Sequence, residues 1–558
     1  MSAATSQTME RKSASAAGAP SPVLDVLALT IALPSAADRE HAVRDVSFVL
    51  WPGEILCMVG ESGSGKSMCA NALMGLLPSS VRITSGRAMF DGQDLTQLSE
   101  AQWMGLRGAR IAMIFQEPMT ALNPLMRIGD QIAEVFEAHG RLTPSERRAR
   151  ILALIAEVGL PEPEKIARAY PFQLSGGQRQ RAMIAMALAL EPAILIADEP
   201  TTALDVTTQA QILRLIRDLQ KRHGMAVLFI THDLGVVREI ASRVIVMRHG
   251  TVVEQGAVTD VLERPQHPYT KALIAAMPSE VVASASGVKA DPVLRVRDLR
   301  KTYRTGGGLF RPAREVKAID GVSFEIARGE VLGLVGESGS GKSTVGRAIV
   351  RLIEADGGQI FVGGEDMSGL HSDALRRARH RVQMVFQDPY ASLNPRRKVA
   401  GAIAAGPIAR GTPPAKAMER ALSLLETVGL DRAAGERYPH EFSGGQRQRI
   451  GIARVLALDP ELIIADEAVS ALDVSIQAQI LDLLRDLRAR LGLSLLFITH
   501  DLRVAAQLCD RVAVMQNGRI VEIGPAADIF LKPQHDYTKS LLAAVPGLAW
   551  REAAREPA

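Results

Sequence analysis

The chain has 558 residues, 47 % hydrophobic and 23 % charged, which is long enough for two to four domains and ordinary for a soluble α/β protein. A net charge of +4 is too small to point to nucleic acid, so none is expected as a partner. Three cysteines, Cys57, Cys69 and Cys509, supply neither a disulfide framework nor a four-cysteine metal or iron–sulfur site.

Residues 1–21 are rich in Ser and Ala without an apolar core, and read as a disordered lead-in and not as a secretion signal. An apolar run from Glu54 to Val59 predicts a buried strand, and Met68 to Leu77 a helix. Between them lie Gly60, Glu61, Ser62, Gly63, Ser64, Gly65, Lys66 and Ser67. This is G-x-x-x-x-G-K-S, whose glycines let a loop turn its N–H groups toward phosphates. Lys66 would place an ammonium on the β/γ-phosphates and Ser67 a hydroxyl on Mg²⁺. Further on, Thr143-Pro144-Ser145-Glu146 predicts a helix with Thr as N-cap, Pro at N1 and Glu at N3. Ser175, Gly176, Gly177 and Gln178 open an apolar helix, a second anion-binding N-terminus. The stretch Ala182 to Ala197 comes nearest to a membrane span but is broken by Glu191 and Pro192. A strand from Ala193 to Ala197 ends in Asp198-Glu199, where one carboxylate can hold Mg²⁺ and the other can orient or deprotonate water. His232 follows the apolar run Ala226 to Thr231 and is read as a γ-phosphate contact.

After a small, polar, aperiodic linker over 279–292 the procession repeats. The strand Glu330 to Val335 leads to Gly336, Glu337, Ser338, Gly339, Ser340, Gly341, Lys342 and Ser343, with Thr344 opening a helix to Ile353. Thr412-Pro413 opens the counterpart of the Thr143 helix, and Ser443, Gly444, Gly445 and Gln446 the second anion-binding helix. Asp466-Glu467 follows Leu462 to Ala465, and His500 follows Leu493 to Thr499. From Ser to Asp is 23 residues in both copies and from Asp to His 34 in both, which means two copies of one fold. The lysines lie 276 apart and the aspartates 268, so eight residues of length change fall between those landmarks.

With Leu174-Ser-Gly-Gly-Gln178 and Phe442-Ser-Gly-Gly-Gln446 added to the phosphate loops, residues 22 to 547 resemble the ABC ATPase family. The resemblance implies two tandem P-loop NTPase domains, over 22–278 and 293–547, followed by a tail over 548–558. Each would be α/β, with a RecA-like core, an antiparallel β subdomain and an α-helical signature subdomain, the two packed head to tail. It implies one ATP between Lys66 and Ser443 and another between Lys342 and Ser175. Gln116 and Gln387 resemble the glutamines that sense Mg²⁺, joining Ser67, Asp198, Ser343 and Asp466 as candidate metal contacts. Asp205 and Asp473 resemble the aspartates that cross the interface, and Tyr303 sits where the family stacks an aromatic on adenine. Leu33 holds that place in the first copy and offers no ring. Because Glu199 and Glu467 are both present, two hydrolysis-competent sites are expected.

The stretches Phe115-Gln-Glu-Pro-Met-Thr-Ala-Leu-Asn-Pro124 and Phe386-Gln-Asp-Pro-Tyr-Ala-Ser-Leu-Asn-Pro395 resemble the oligopeptide, dipeptide and nickel importers. So do the tails Arg264 to Lys271 and Lys532 to Lys539, in which His267 and His535 read as capping or packing residues before metal ligands. The subfamily implies an ATPase powering peptide import at the cytoplasmic face of a bacterial inner membrane, with two permeases and a periplasmic binding protein as partners. Nickel import is one alternative. A soluble tandem ATPase acting on ribosomes is another, although the linker is too short for the charged helix such proteins carry. The basic stretch Arg295 to Lys317 reads as a solvated strand edge and loop.

Overall fold

Five apolar segments of the first half pair into one parallel sheet because each is buried on both faces, as the strand sequence Ile-Leu-Cys-Met-Val of β3 (Ile55–Val59) requires. A computed structural model describes residues 21–35, 39–202, 204–277, 291–305, 314–387, 392–469 and 472–547. Nearly all of the lead-in, most of the linker, the final tail and part of the second importer-like stretch, 388–391, lie outside the described residues.

The remaining strands of this sheet are β6 (Ile111–Ile114), β7 (Ile194–Asp198), β8 (Ala226–Thr231), β9 (Arg243–Arg248) and β10 (Thr251–Ala257). Their order is β10-β9-β3-β8-β7-β6, with only β10 antiparallel. Parallel pairing brings the carboxyl ends of β3, β8 and β7 to one edge, which is where the phosphate loop, His232 and Asp198 emerge. A second, antiparallel sheet, β2-β1-β4-β5, is built from β1 (Leu24–Ala32), β2 (His41–Leu50), β4 (Arg82–Phe90) and β5 (Gln93–Asp94). Its alternating buried residues pack on the helix Lys66–Leu73 and one face of the parallel sheet. A cluster of helices, among them Ile128–Ala138, Pro144–Glu157 and Gly176–Ala187, covers the other side.

The second half repeats this plan. The antiparallel sheet is β12-β11-β14-β15, from β11 (Pro292–Thr305), β12 (Arg314–Ala327), β14 (Gly357–Val362) and β15 (Glu365–Asp366). The mixed sheet is β16-β17-β18-β13-β19-β20, from β13 (Val331–Val335), β16 (Val382–Val385), β17 (Leu462–Asp466), β18 (Ser494–Thr499), β19 (Arg511–Gln516) and β20 (Arg519–Pro525). The fold class read from the sequence is therefore present twice.

Three local expectations need correction. The helices after the phosphate loops run Lys66–Leu73 and Lys342–Ile349, beginning at the lysines and ending four residues early. They start there because Gly65 and Gly341, in the left-handed region at φ 102° and 105°, serve as N-caps. The Thr143 capping box forms as expected, with Glu146 Oε2 accepting from Thr143 N at 2.8 Å. Its counterpart starts at Pro414 with Pro413 in the cap position, so the second proline takes N1 and Thr412 falls outside the helix. Pro292 belongs to β11 and not to the linker.

The halves meet along a pseudo-twofold axis. Val206 of the first half joins the apolar cluster of the second. A cavity of about 110 Å³ on the axis is lined by His232, Asp233 and Leu204 from one side and His500, Asp501 and Leu472 from the other. All three cysteines are buried as small apolar side chains, and burial pushes their thiols up, Cys69 to about 12. Among the described residues no helix is long and apolar enough to cross a membrane.

Candidate functional site

Each phosphate loop grows from the carboxyl end of a buried central strand. Gly60 and Gly336 are indispensable to the curl: a Cβ there would stand 2.2 Å from Met247 O or Met515 O, the backbone of the neighbouring strand. The loop closes on its own lysine. Lys66, 4 % exposed, donates from Nζ to Gly60 O at 2.7 Å and Glu61 O at 2.9 Å. Lys342 Nζ repeats this with Gly336 O at 2.9 Å and Glu337 O at 2.7 Å. Burial lowers both ammonium groups below the ordinary lysine value, against the pull of Glu199 and Glu467.

Beside the loops the acidic residues arrive from the sheet edge. Ser67 Oγ donates to Asp198 Oδ1 at 3.0 Å, and Ser343 Oγ to Asp466 Oδ1 at 2.8 Å. Burial raises both aspartates. Glu199 and Glu467 sit at φ 46° and 47°, a left-handed backbone that costs a non-glycine residue about 1–3 kcal/mol. The strain turns each carboxylate off the strand and into a ring of donors. Gln116 Nε2 donates to Glu199 Oε2 at 3.0 Å, Thr202 Oγ1 to the same oxygen at 3.0 Å, and His232 Nδ1 lies 3.3 Å from it. In the second site Gln387 Nε2 donates to Glu467 Oε2 at 2.8 Å, and His500 Nδ1 lies 3.3 Å from Oε1. Burial opposes charge on Glu199, but His232, Thr202 and Lys66 together hold it at about 2. Glu467 is lowered in the same way, and His232 and His500 are raised, their glutamates outweighing burial.

This pairing has a pH signature. The raised histidine contributes stability that is fully present below its ordinary value and is lost as pH rises through the higher folded value. The lowered glutamate contributes stability present above its ordinary value and lost as pH falls toward about 2. The contribution is therefore greatest between about pH 4.5 and 6.5. The melting-temperature difference between the wild-type chain and His232→Gln is expected to be larger at about pH 5.5 than at about pH 8.5.

The Ser-Gly-Gly helices use their own first residues as caps. Gln178 N donates to Ser175 Oγ at 3.3 Å and Ser175 N to Gln178 Oε1 at 3.0 Å, with the same box at Ser443 and Gln446. The Gln178 and Gln446 side chains are thus committed to the cap. Among the described residues no hydrogen bond joins Ser175 or Ser443 to the opposite phosphate loop. The link across the halves comes from neighbouring residues: Ser62 N donates to Asp473 Oδ1 at 2.8 Å, and Thr207 Oγ1 to Glu337 Oε1 at 2.5 Å. Asp205 itself caps the helix Val206–His223. Tyr303 is 40 % exposed beside the Lys301 ammonium, while Leu33 is partly buried against the β-sheet cluster.

One contact was not assigned from the sequence. Tyr269 and Tyr537, in the importer-like tails, accept at their hydroxyls from Glu61 N at 3.3 Å and Glu337 N at 3.2 Å. His267 and His535 serve the same end as N-caps, each Nδ1 accepting from the tyrosine N at 3.1 Å. The motif was visible as a matched pair, but its reach back to a loop about two hundred residues away was not. Tyr269→Phe and Tyr537→Phe are each expected to raise the ATP KM about 2–10-fold with less change in kcat, read by steady-state phosphate release.

Oxygen donors at Ser67 and Asp198 suit a hard divalent cation that keeps its remaining sites for phosphate and water. Among the described residues no cluster of three or more His, Cys, Asp or Glu could hold a metal unaided.

Two sequence profiles match the chain. The one described as ABC transporter matches residues 43–202 and 319–470, and the oligopeptide/dipeptide transporter C-terminal region matches 253–296 and 521–557. The peptidoglycan transport ATP-binding protein YejF of Agrobacterium fabrum is 50 % identical over 535 residues, covering 94 % of this chain and 96 % of that protein. The glutathione import ATP-binding protein GsiA of Escherichia coli O157:H7 is 50 % identical over 557 residues, covering 94 % and 89 %. Among solved structures, a dimeric ATP-binding cassette in a post-hydrolysis state with ADP and Pi is 28 % identical, covering 42 % of this chain and 98 % of that one, with a TM-score of 0.38.

Proposed function

The chain belongs to the ABC transporter family and is an ATPase, and from that premise we propose that it powers peptide import, taking a di- or oligopeptide or a glutathione-like cargo through a membrane transporter. The doubled site, its halves joined by the Ser62–Asp473 hydrogen bond, supports an ATPase that works as one unit, and the match of residues 253–296 and 521–557 to the oligopeptide/dipeptide transporter C-terminal region carries the peptide reading. The oligopeptide/dipeptide C-terminal match in both halves favours peptide over the ribosome-acting alternative, which nothing in the comparisons supports.

In this reading the two ATPase domains span 22–278 and 292–547, the second opening with β11. Each nucleotide is shared, one by the Lys66 loop and the Ser443 helix, the other by the Lys342 loop and the Ser175 helix. Lys66 and Lys342 exchange carbonyl partners for β/γ-phosphate oxygens, with the loop N–H groups around them. Ser67 with Asp198, and Ser343 with Asp466, would hold Mg²⁺, with Gln116 and Gln387 close by. When bound, the ion neutralises charge on the transferring phosphoryl group. Glu199 and Glu467 orient the attacking water and accept its proton. At rest each carboxylate is occupied by glutamine and histidine donors, which keep it a weak base. His232 and His500 turning to the γ-phosphate would release the glutamates and make them better bases. Tyr303 stacks on one adenine and Leu33 gives the other only an apolar wall.

Two integral-membrane permeases of a bacterial inner membrane, met at its cytoplasmic face, are the partners, and through them a periplasmic binding protein. The chain itself would be peripheral there. Purification from its own membranes with gentle cross-linking tests this. Two co-purifying integral-membrane subunits are the expected result, and ribosomes without permeases would overturn it.

A further inference from the structure

The pseudo-twofold symmetry is broken at a matched pair of positions just after the active-site histidines. In the second half the residues after the active-site histidine are Asp501-Leu502-Arg503, and in the first they are Asp233-Leu234-Gly235. Arg503 crosses the axis and grips the other half's aspartate with both ends of its fork, Nη1 to Asp233 Oδ1 and Nη2 to Asp233 Oδ2, each at 3.0 Å. Its hold on Asp501 in its own half is longer, at 3.2 and 3.3 Å. Asp233 is the less exposed of the two carboxylates, 15 % against 23 %.

Asp233 also caps the helix Leu234–Ile240, accepting from Gly235 N at 2.8 Å, and it directly follows His232. Both of its oxygens are therefore fixed from the second half while its backbone neighbour pairs with Glu199. Position 235 has no side chain to return the contact. A Cβ there would stand 2.8 Å from Pro546 O and 3.0 Å from Arg503 Nη1, both in the second half. The backbone of Gly235 is outside the left-handed region, so glycine is needed there for the approach of the other half and not for its own conformation.

We propose that Arg503 is a positioning residue for the Lys66 site, acting across the interface: it fixes Asp233, and through it the His232–Glu199 pair, with no reciprocal contact from Gly235 to the Lys342 site. This rests on the reading of His232 and Glu199 as hydrolytic groups. Turnover at one site then depends on a guanidinium donated by the other half. Two like-charged carboxylates on the axis are bridged by one cation, and the sequence leaves room for only one.

The test uses the full chain with Arg503→Gln, Arg503→Lys and Gly235→Ala, read by steady-state ATP hydrolysis and by amide exchange of the segments 231–240 and 499–508. In a Glu467→Gln background, where the Lys66 site carries turnover, Arg503→Gln is expected to lower kcat ~10-fold at a KM within about two-fold of that background, with Arg503→Lys recovering part of the loss. Exchange over 231–240 is expected to accelerate at least about three-fold more than over 499–508. Gly235→Ala favours its own helix, and its closest contact, at 2.8 Å from Pro546 O, lies across the interface, with Arg503 Nη1 and Asp233 Oδ1 both at 3.0 Å, so the same pattern there points to the Asp233–Arg503 contact and not to a folding defect. A kcat loss below about two-fold, or equal acceleration of the two segments, overturns the proposal. If Glu199→Gln keeps wild-type turnover, the hydrolytic reading of that site fails instead, and the exchange measurement still decides whether Arg503 positions the segment.

Discussion

Replacing Glu199 and Glu467 together by glutamine is expected to cut steady-state ATP hydrolysis ~10²–10⁴-fold while leaving nucleotide affinity within about three-fold. The amide keeps the size of the carboxylate and its place on a strained backbone, but it cannot accept the proton of the attacking water. Each site has its own glutamate held by a glutamine and a histidine, so each single variant should also fall well below wild type. Phosphate-release rates at saturating ATP check this, and wild-type turnover in either single variant would refute two hydrolysis-competent sites. The double variant should also lose most of the stability that the histidines contribute at low pH, because the glutamates are the larger of the groups that raise them.

Loss of the loop ammonium acts earlier, on binding. Lys66→Ala or Lys342→Ala is expected to weaken ATP at its own site about 10–100-fold, the worth of one charge-assisted contact to phosphate. Each lysine is 4 % exposed and already desolvated, so little further dehydration opposes its transfer from carbonyl to phosphate oxygen. Equilibrium titration with a fluorescent ATP analogue should resolve one weakened and one normal site in each variant. Unchanged affinity at both sites would remove the lysines from the phosphate-binding role.

What was legible in the sequence is what local chemistry determines. The strand before each phosphate loop, the loop itself and the Asp-Glu at a strand end follow from apolar runs and fixed spacing, and they lie where expected to within a residue or two. The helix starts at Lys66 and Lys342 were misread because a left-handed glycine can begin a helix as well as interrupt one. Thr412 was read as a cap because a Thr-Pro pair resembles the one at Thr143, but the next proline moves the start on by a residue. The Arg503 fork, the Thr207–Glu337 hydrogen bond and the tyrosine hold on the loops depend on which distant surfaces pack together. No periodicity carries that information. The inequality of Gly235 and Arg503 is visible once the copies are aligned, and only the axis between them gives it meaning.

The buried cysteines make the opening of this molecule measurable without first redesigning it. All three native thiols are enclosed and resist ionisation, so thiol-reactive probes should find little to attack in the folded chain. A pair of cysteines introduced at exposed Leu125 and Leu352, one in each half, would then carry a donor and acceptor dye on an otherwise silent background. The distance between the halves could be followed in real time through each round of nucleotide binding and release.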